Sequence, residues 1–115
     1  MNSRPDKDVV WLDGFGSPPM SKEASREAAF AVRRIQQGEK LSHPLSDRMP
    51  EIGPRCHELR IRDSNTTWRI IYRIDDDAIV LVLVFAKKTG QTPESAKQLC
   101  RKRLSGYDLT SKDRA

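Results

Sequence analysis

The sequence has few cysteines, few histidines and few aromatic residues. Its 115 residues include 2 Cys, 2 His and 6% aromatics. Cys56 and Cys100 are far apart and match neither a zinc spacing nor a dense disulfide framework, so we expect reduced thiols that pack as small apolar groups. Two histidines and two scattered cysteines do not make a zinc site. We therefore expect no metal and no cofactor.

Motifs of several other protein classes are also missing. The sequence contains no glycine-rich phosphate loop followed by a lysine and no Gly-x-Ser-x-Gly turn. It has no apolar run of the roughly 20 residues that span a bilayer, and no apolar secretory signal, which predicts a cytoplasmic protein. The length predicts one domain over 1–115, with its core at about 9–104 and flexible ends at 1–8 and 108–115.

Positive charge is concentrated in two blocks. The formal net charge is +5, and residues 1–54 are neutral, with eight cations and eight anions. Residues 55–73 carry five cations and two anions, or +3, and residues 87–103 carry six cations and one anion, or +5. Such blocks suit a polyanionic partner, although the few aromatics argue against a stacking platform for reading RNA sequence. The alternative is a solvated charged surface.

Hydrophobic periodicity predicts an α+β domain. The expected elements, in order, are a strand at 9–12, a helix that starts within Ser17–Ser21 and ends near Gln37, a connector over 39–54, strands at 56–62, 68–74 and 78–85, and a helix opened by Thr92-Pro93 and ended by Gly106. The run AIVLVLVF at 78–85 is apolar on both faces, which is typical of a strand inside a covered sheet. We expect a small antiparallel sheet, made of the three-strand C-terminal meander plus the N-terminal strand, with the helices packed on one of its faces.

The two hairpin strands alternate between apolar and charged residues. If their apolar residues face the core, the charged ones emerge together on the other face. The predicted catalytic group comprises Glu58, Arg60, Arg69, Lys87 and Lys88. The predicted RNA-binding residues around it are Arg62, Arg73, Lys97 and Arg101. Like charges packed this closely cost stability, which an anionic ligand would offset.

Such a group suits cleavage of RNA without a metal, by attack of the 2′-hydroxyl on the adjacent phosphorus. Arginine and lysine would stabilise the charge that develops on the phosphoryl oxygens. Glu58, or a lysine with a lowered pKa, would accept the 2′ proton. The competing interpretation is structural: Arg60 and Arg69 would pair across the strands with Glu58 or Asp63.

Three further residues have structural interpretations. Arg62 and Arg73 fit plain solvated charge. His57 falls on the apolar face, where we expect a hydrogen-bonded core histidine.

Three short blocks occur in a distinctive order: CHELRI at 56–61, WRIIY at 68–72, and FAKKT at 85–89 followed by Thr92-Pro93. Over about residues 9–104, the chain resembles the phage-derived Gp49-like branch of the HigB toxins, within the RelE/ParE toxin superfamily. The resemblance implies a RelE-like sheet with helices packed against it, and cleavage of mRNA in the ribosomal A site. It also implies a protein partner, an antitoxin with a helix-turn-helix domain that is usually encoded next to the toxin.

The family's basic positions fall on residues that the strand pattern had already grouped. They are Arg60, with Glu58 beside it, Arg69, Lys87 and Lys88. Because no histidine follows His57, the resemblance favours lysine and arginine chemistry. The alternatives are a non-catalytic basic binding module, an inactive prophage remnant and a toxin that acts on gyrase.

Overall fold

The computed structural model describes residues 6–12, 19–87 and 90–113. The elements, in chain order, are β1 (Asp8–Trp11), α1 (Lys22–Gln36), β2 (Ser46–Arg48), β3 (Cys56–Asp63), β4 (Thr66–Ile74), β5 (Ala78–Lys87) and α2 (Glu94–Asp113). This arrangement confirms the α+β class. No helix in these ranges is long and apolar enough to cross a membrane.

The five strands form one sheet in the order β1-β5-β4-β3-β2. The β3-β4-β5 meander is antiparallel, as predicted, and β5 lies between two strands. However, β1 pairs with β5 in parallel, so the sheet is mixed. The short edge strand β2 pairs with β3 inside the segment expected to be a connector. Its three residues are too few, and too polar, to give an alternating signal.

Helix α1 lies against one face of the sheet. Ser21 caps it, since its side chain accepts a hydrogen bond of 3.1 Å from the backbone N–H of Ala24. The buried stripe of the helix is Ala24, Ala28, Ala31 and Ile35. This stripe packs on Leu59, Ile61, Ile70 and Tyr72, the face that the alternation predicted to be buried.

Helix α2 lies against the opposite face, so the expectation that both helices cover one face is wrong. Its Cys100 and Leu104 pack with Ile71, Val80 and Val82. The reason is visible in β5, whose unbroken apolar run requires cover on both faces. Cys56 and Cys100 are both buried in this second cluster, as expected, and burial raises the pKa of the Cys56 thiol.

Helix α2 continues through Gly106 to Asp113, so the predicted stop at Gly106 is wrong. The flexible end expected at 108–115 stays a prediction. Arg73 holds this part of the helix on the sheet. Its Nη1 and Nη2 donate to the Asp108 carboxylate at 3.0 and 2.7 Å. This long-range ion pair more than offsets the weak helix propensity of one glycine.

Candidate functional site

The register of β3, β4 and β5 places four cations in two adjacent rows on the α2 face of the sheet. Arg60 lies opposite Arg69, and in the next row Thr67 lies between Arg62 and Lys87. Directly opposed residues share a face, and residues two apart on a strand share it too. Arg60, Arg62, Arg69 and Lys87 therefore form one surface, which we call the cationic patch.

A buried carboxylate underlies the patch. Glu58 is 1% exposed and accepts a hydrogen bond from Nη1 of Arg69 at 3.0 Å. Nη2 of Arg60 lies 3.1 Å from the same carboxylate oxygen, and the Thr92 hydroxyl donates to the other oxygen. Arg69 thus forms the expected cross-strand pair with Glu58, whereas Arg60 pairs with Glu58 along the same strand. The shared carboxylate allows the two like charges to face each other across the strands.

The polar network extends to the edge of the sheet. Arg60 also donates to Asp47 of β2, whose carboxylate lies 3.0 Å from Nδ1 of His43. The hydrogen bond from Arg60, and then that from His43, lowers the pKa of Asp47. Sequence reasoning missed Asp47 because it missed β2.

Arg69 retains one unused donor. Its side chain is 8% exposed, and among the described residues its buried Nε–H has no hydrogen-bond partner. A buried donor without an acceptor is costly, and such atoms concentrate at functional sites. Arg69 therefore presents a fixed guanidinium with one buried N–H group that the described residues leave unsatisfied.

The other two patch cations are more accessible. Arg62 is exposed and forms no ion pair within the described parts of the chain. Lys87 is half-buried, and its Nζ donates to the backbone carbonyl of Gln91 in the loop before α2. Lys88 lies outside the described residues. Two grooves, of about 480 and 780 Å³, have none of the four patch cations in their linings.

Comparison with known protein families shows to which family the chain belongs. Residues 19–105 match the family described as "Phage derived protein Gp49-like (DUF891)". The chain belongs to this family. The Gp49-like family is a RelE/HigB-like toxin family, which confirms the resemblance seen in the three sequence blocks and makes this a phage-derived, toxin-like protein. No curated protein and no solved structure matches the chain significantly.

Arg73 departs from the expectation for this Gp49-like chain. It lies on the α2 face, but its side chain is only 9% exposed and also donates to Asp75 at 2.7 Å. The hydrogen bonds to Asp108, and to a lesser degree those to Asp75, raise the pKa of Arg73 above its ordinary value. The expectation that Arg73 is solvated charge is therefore wrong. Its buried side chain links β4 to α2 through the hydrogen bonds to Asp108.

The two predicted RNA-binding residues of α2 also lie outside the patch network. Nζ of Lys97 is 3.8 Å from the Glu51 carboxylate. Arg101 donates to the Glu51 carbonyl at 2.6 Å and also pairs with Glu94. These contacts tie α2 to the connector between β2 and β3, so the structure does not bring Lys97 and Arg101 together with Arg69.

His57 of this Gp49-like chain lies on the α1 face, as predicted. It is half-buried and stacks on Tyr72, with ring centroids 5.2 Å apart and an interplanar angle of 17°. Its ring makes no hydrogen bond within the described ranges, so the expected hydrogen-bonded core histidine is instead a stacked one.

Proposed function

We propose that this Gp49-like protein is a toxin that cleaves mRNA on the ribosome by attack of the 2′-hydroxyl, without a metal. The observation that carries the proposal is Arg69, a buried guanidinium held by Glu58 with a free Nε–H, in the middle of the cationic patch. A donor fixed in advance and shielded from water stabilises developing negative charge better than a mobile one.

In this reaction the 2′ oxygen bonds to phosphorus and the 5′ oxygen leaves, which produces a cyclic 2′,3′-phosphate and a 5′-hydroxyl end. Negative charge grows on the non-bridging oxygens, where Arg69 and Arg60 act. Lys87 is the described patch residue that can release a proton, so we assign it protonation of the leaving 5′ oxygen. The proton of the 2′-hydroxyl passes to solvent.

Glu58 takes a different role from general base. It is fully buried and its two oxygens already accept three hydrogen-bonding groups, from Arg69, Arg60 and Thr92. A carboxylate engaged in this way cannot reach a 2′-hydroxyl without breaking those contacts. We therefore assign Glu58 as a positioning residue that holds the two arginines in register.

The proposal includes a protein partner and a location. A helix-turn-helix antitoxin with acidic side chains would cover the cationic patch and block RNA. The patch carries four cations over the single buried carboxylate of Glu58 and the edge carboxylate of Asp47, which favours an acidic partner surface. Because its substrate is mRNA on the ribosome, the toxin acts in the cytoplasm.

The test removes the accessible cations and leaves the buried network intact. The variant Arg62→Ala/Lys87→Ala is compared with Lys22→Ala/Arg26→Ala, which removes the same charge from the exposed surface of α1. Transcript 5′ ends are mapped after induced expression, with and without translating ribosomes. We expect new 5′ ends that require translation, reduced about 100-fold in the patch variant and unchanged in the control. Equal cleavage by the patch variant and the wild type would refute the assignment.

A second function is favoured by the engagement of Arg60 and Arg69 with Glu58. In a non-catalytic module, these pairs would simply stabilise the sheet, and Arg62 and Lys87 would bind RNA electrostatically. That function gives RNA binding that weakens steeply with salt, but no new transcript ends. Mapping of transcript 5′ ends distinguishes this binding function from cleavage, because only cleavage produces new ends.

A further inference from the structure

The larger of the two grooves has none of the four patch cations in its lining, although His43 and Asp47 in its wall belong to the polar network of Arg60. It has a volume of about 780 Å³, within the range of sites for small organic ligands. Its lining includes His57 and Tyr72, which belong to the α1 face, together with residues 40–43 after α1. The proposed cleavage chemistry uses neither of these aromatic residues.

Three side chains stand in one row across the strands that line this groove. Tyr72 of β4 is directly opposite His57 of β3, which is directly opposite Arg48 of β2. Tyr72 is 1% exposed, and its hydroxyl is 2.7 Å from the hydroxyl of Ser46, so the phenol ring is fixed. His57 stacks on this fixed ring and is held nearly parallel to it. The row therefore offers a rigid π surface with a guanidinium at its open end.

The imidazole of His57 is an uncharged part of this surface at neutral pH. Burial, and then the positive charge of Arg48, lowers its pKa from the ordinary value of 6.5. A neutral ring beside an unpaired guanidinium suits a ligand that is planar in one part and anionic in another.

The groove also carries cations that have no acidic partner. Lys7 donates to the Asp75 carbonyl, and Arg55 pairs with Asp75, so these two are engaged. By contrast, neither Lys40 nor Arg48 forms an ion pair within residues 6–12, 19–87 and 90–113, and both are exposed. Of the three carboxylates in the lining, Asp75 and Asp47 are paired with arginines and Asp76 is exposed, whereas two cations remain available.

We propose that this groove binds a ribonucleotide unit, with its base stacked on His57 and its phosphate bound by Arg48 and Lys40. A planar ring and a phosphate on one small ligand are the chemistry of a nucleotide. The site goes beyond the proposed cleavage activity, because neither His57 nor the two groove cations take part in that reaction, and its occupancy is measured without any reaction. Its ligand is either a free nucleotide or one nucleotide of an RNA strand.

The test follows the imidazole signals of the folded protein by NMR during titration with adenosine 5′-monophosphate. The chain has only 2 His, so the His57 signals are easily assigned. We expect a saturable shift of His57. The variant Lys40→Ala/Arg48→Ala should weaken binding about tenfold or more, the cost of losing charge-assisted hydrogen bonds. Adenosine, which lacks the phosphate, should bind the wild type about tenfold more weakly for the same reason.

Two controls keep the result specific. Lys22→Ala/Arg26→Ala removes the same charge elsewhere on the surface and should bind the nucleotide like the wild type. Arg62→Ala/Lys87→Ala should also bind it normally, so failure of the cleavage proposal leaves this one intact. A hexa-adenylate arm identifies the source: tighter binding than the mononucleotide indicates an RNA strand, and equal binding indicates a free nucleotide. Absence of a saturable His57 shift at millimolar nucleotide, or undiminished binding by Lys40→Ala/Arg48→Ala, overturns the proposal.

Discussion

Thr92 donates its hydroxyl hydrogen to the Glu58 carboxylate, which ties the chain just before α2 to the middle of β3. The sequence suggested that Thr92 caps the helix. The structure shows that this buried hydroxyl satisfies the carboxylate that holds Arg69 and Arg60. The start of α2 and the cationic patch are therefore parts of one hydrogen-bonded unit.

The Thr92 hydroxyl should have a measurable energetic role. Thr92→Val keeps the shape of the side chain but leaves one oxygen of Glu58 without its donor. We expect the free energy of unfolding, measured by urea denaturation, to fall by about 1–3 kcal/mol, the cost of an unsatisfied buried polar group. Thr92→Ser keeps the hydroxyl and should recover most of this loss. A Thr92→Val protein as stable as the wild type would show that the hydrogen bond contributes nothing.

The buried pair of Glu58 and Arg69 should show strong coupling. Glu58→Gln removes the counter-charge but not the shape, and should destabilise the fold by about 3–5 kcal/mol, because Arg69 remains buried and charged. The double variant Glu58→Leu/Arg69→Met removes both charges and should be more stable than Glu58→Gln. Denaturant unfolding of Glu58→Leu, Arg69→Met and the double variant gives the coupling energy. Additive effects would contradict the pairing.

Stability should decrease as the pH falls through the ordinary pKa of histidine, because of His57. Its pKa in the folded state lies below 6.5, so the unfolded chain takes up a proton first and the folded state loses its advantage as pH falls. Urea midpoints measured from about pH 7.5 to about pH 5.5 should therefore decline. Carboxylates such as Asp47, whose pKa lies below the ordinary 3.8, act only at lower pH.

Arg48 gives this pH dependence a matched variant. Arg48→Gln removes a nearby positive charge, so the pKa of His57 should rise towards its ordinary value and the decline in stability should become smaller. Burial, the larger cause, is unchanged, so part of the decline should persist. An NMR titration of His57 in both proteins measures the shift directly. An unchanged pKa in Arg48→Gln would show that the guanidinium does not act on the ring.

Local pattern was sufficient for most of the fold. The alternation in β3 and β4, the apolar run of β5 and the alanine stripe of α1 after Ser21 each specify their element and its buried face. The same alternation also placed Arg60, Arg62 and Arg69 on one surface.

The errors arose where the deciding contact is remote in sequence. Arg73 looked like solvated charge because its partner Asp108 lies on α2, and the same pair carries the helix past Gly106. Likewise, β2 forms only because β3 supplies a ladder for its three residues. Neither contact leaves a periodic signal in the local sequence.

Because β1 pairs with β5, the sheet can be completed only late in the synthesis of the chain. Synthesis delivers β1 first, but its neighbour in the described sheet is β5, the last of the five strands to be made. Thr92 follows β5, so the Glu58 carboxylate receives the hydrogen bond of Thr92 only when the final quarter of the chain is made. A nascent chain that ends before Thr92 lacks the hydrogen bond from Thr92 to the carboxylate that holds Arg60 and Arg69. A chain that ends before β5 also lacks the pairing of β1 with β5. Any harmful activity would thus be withheld until translation of the protein itself is nearly finished.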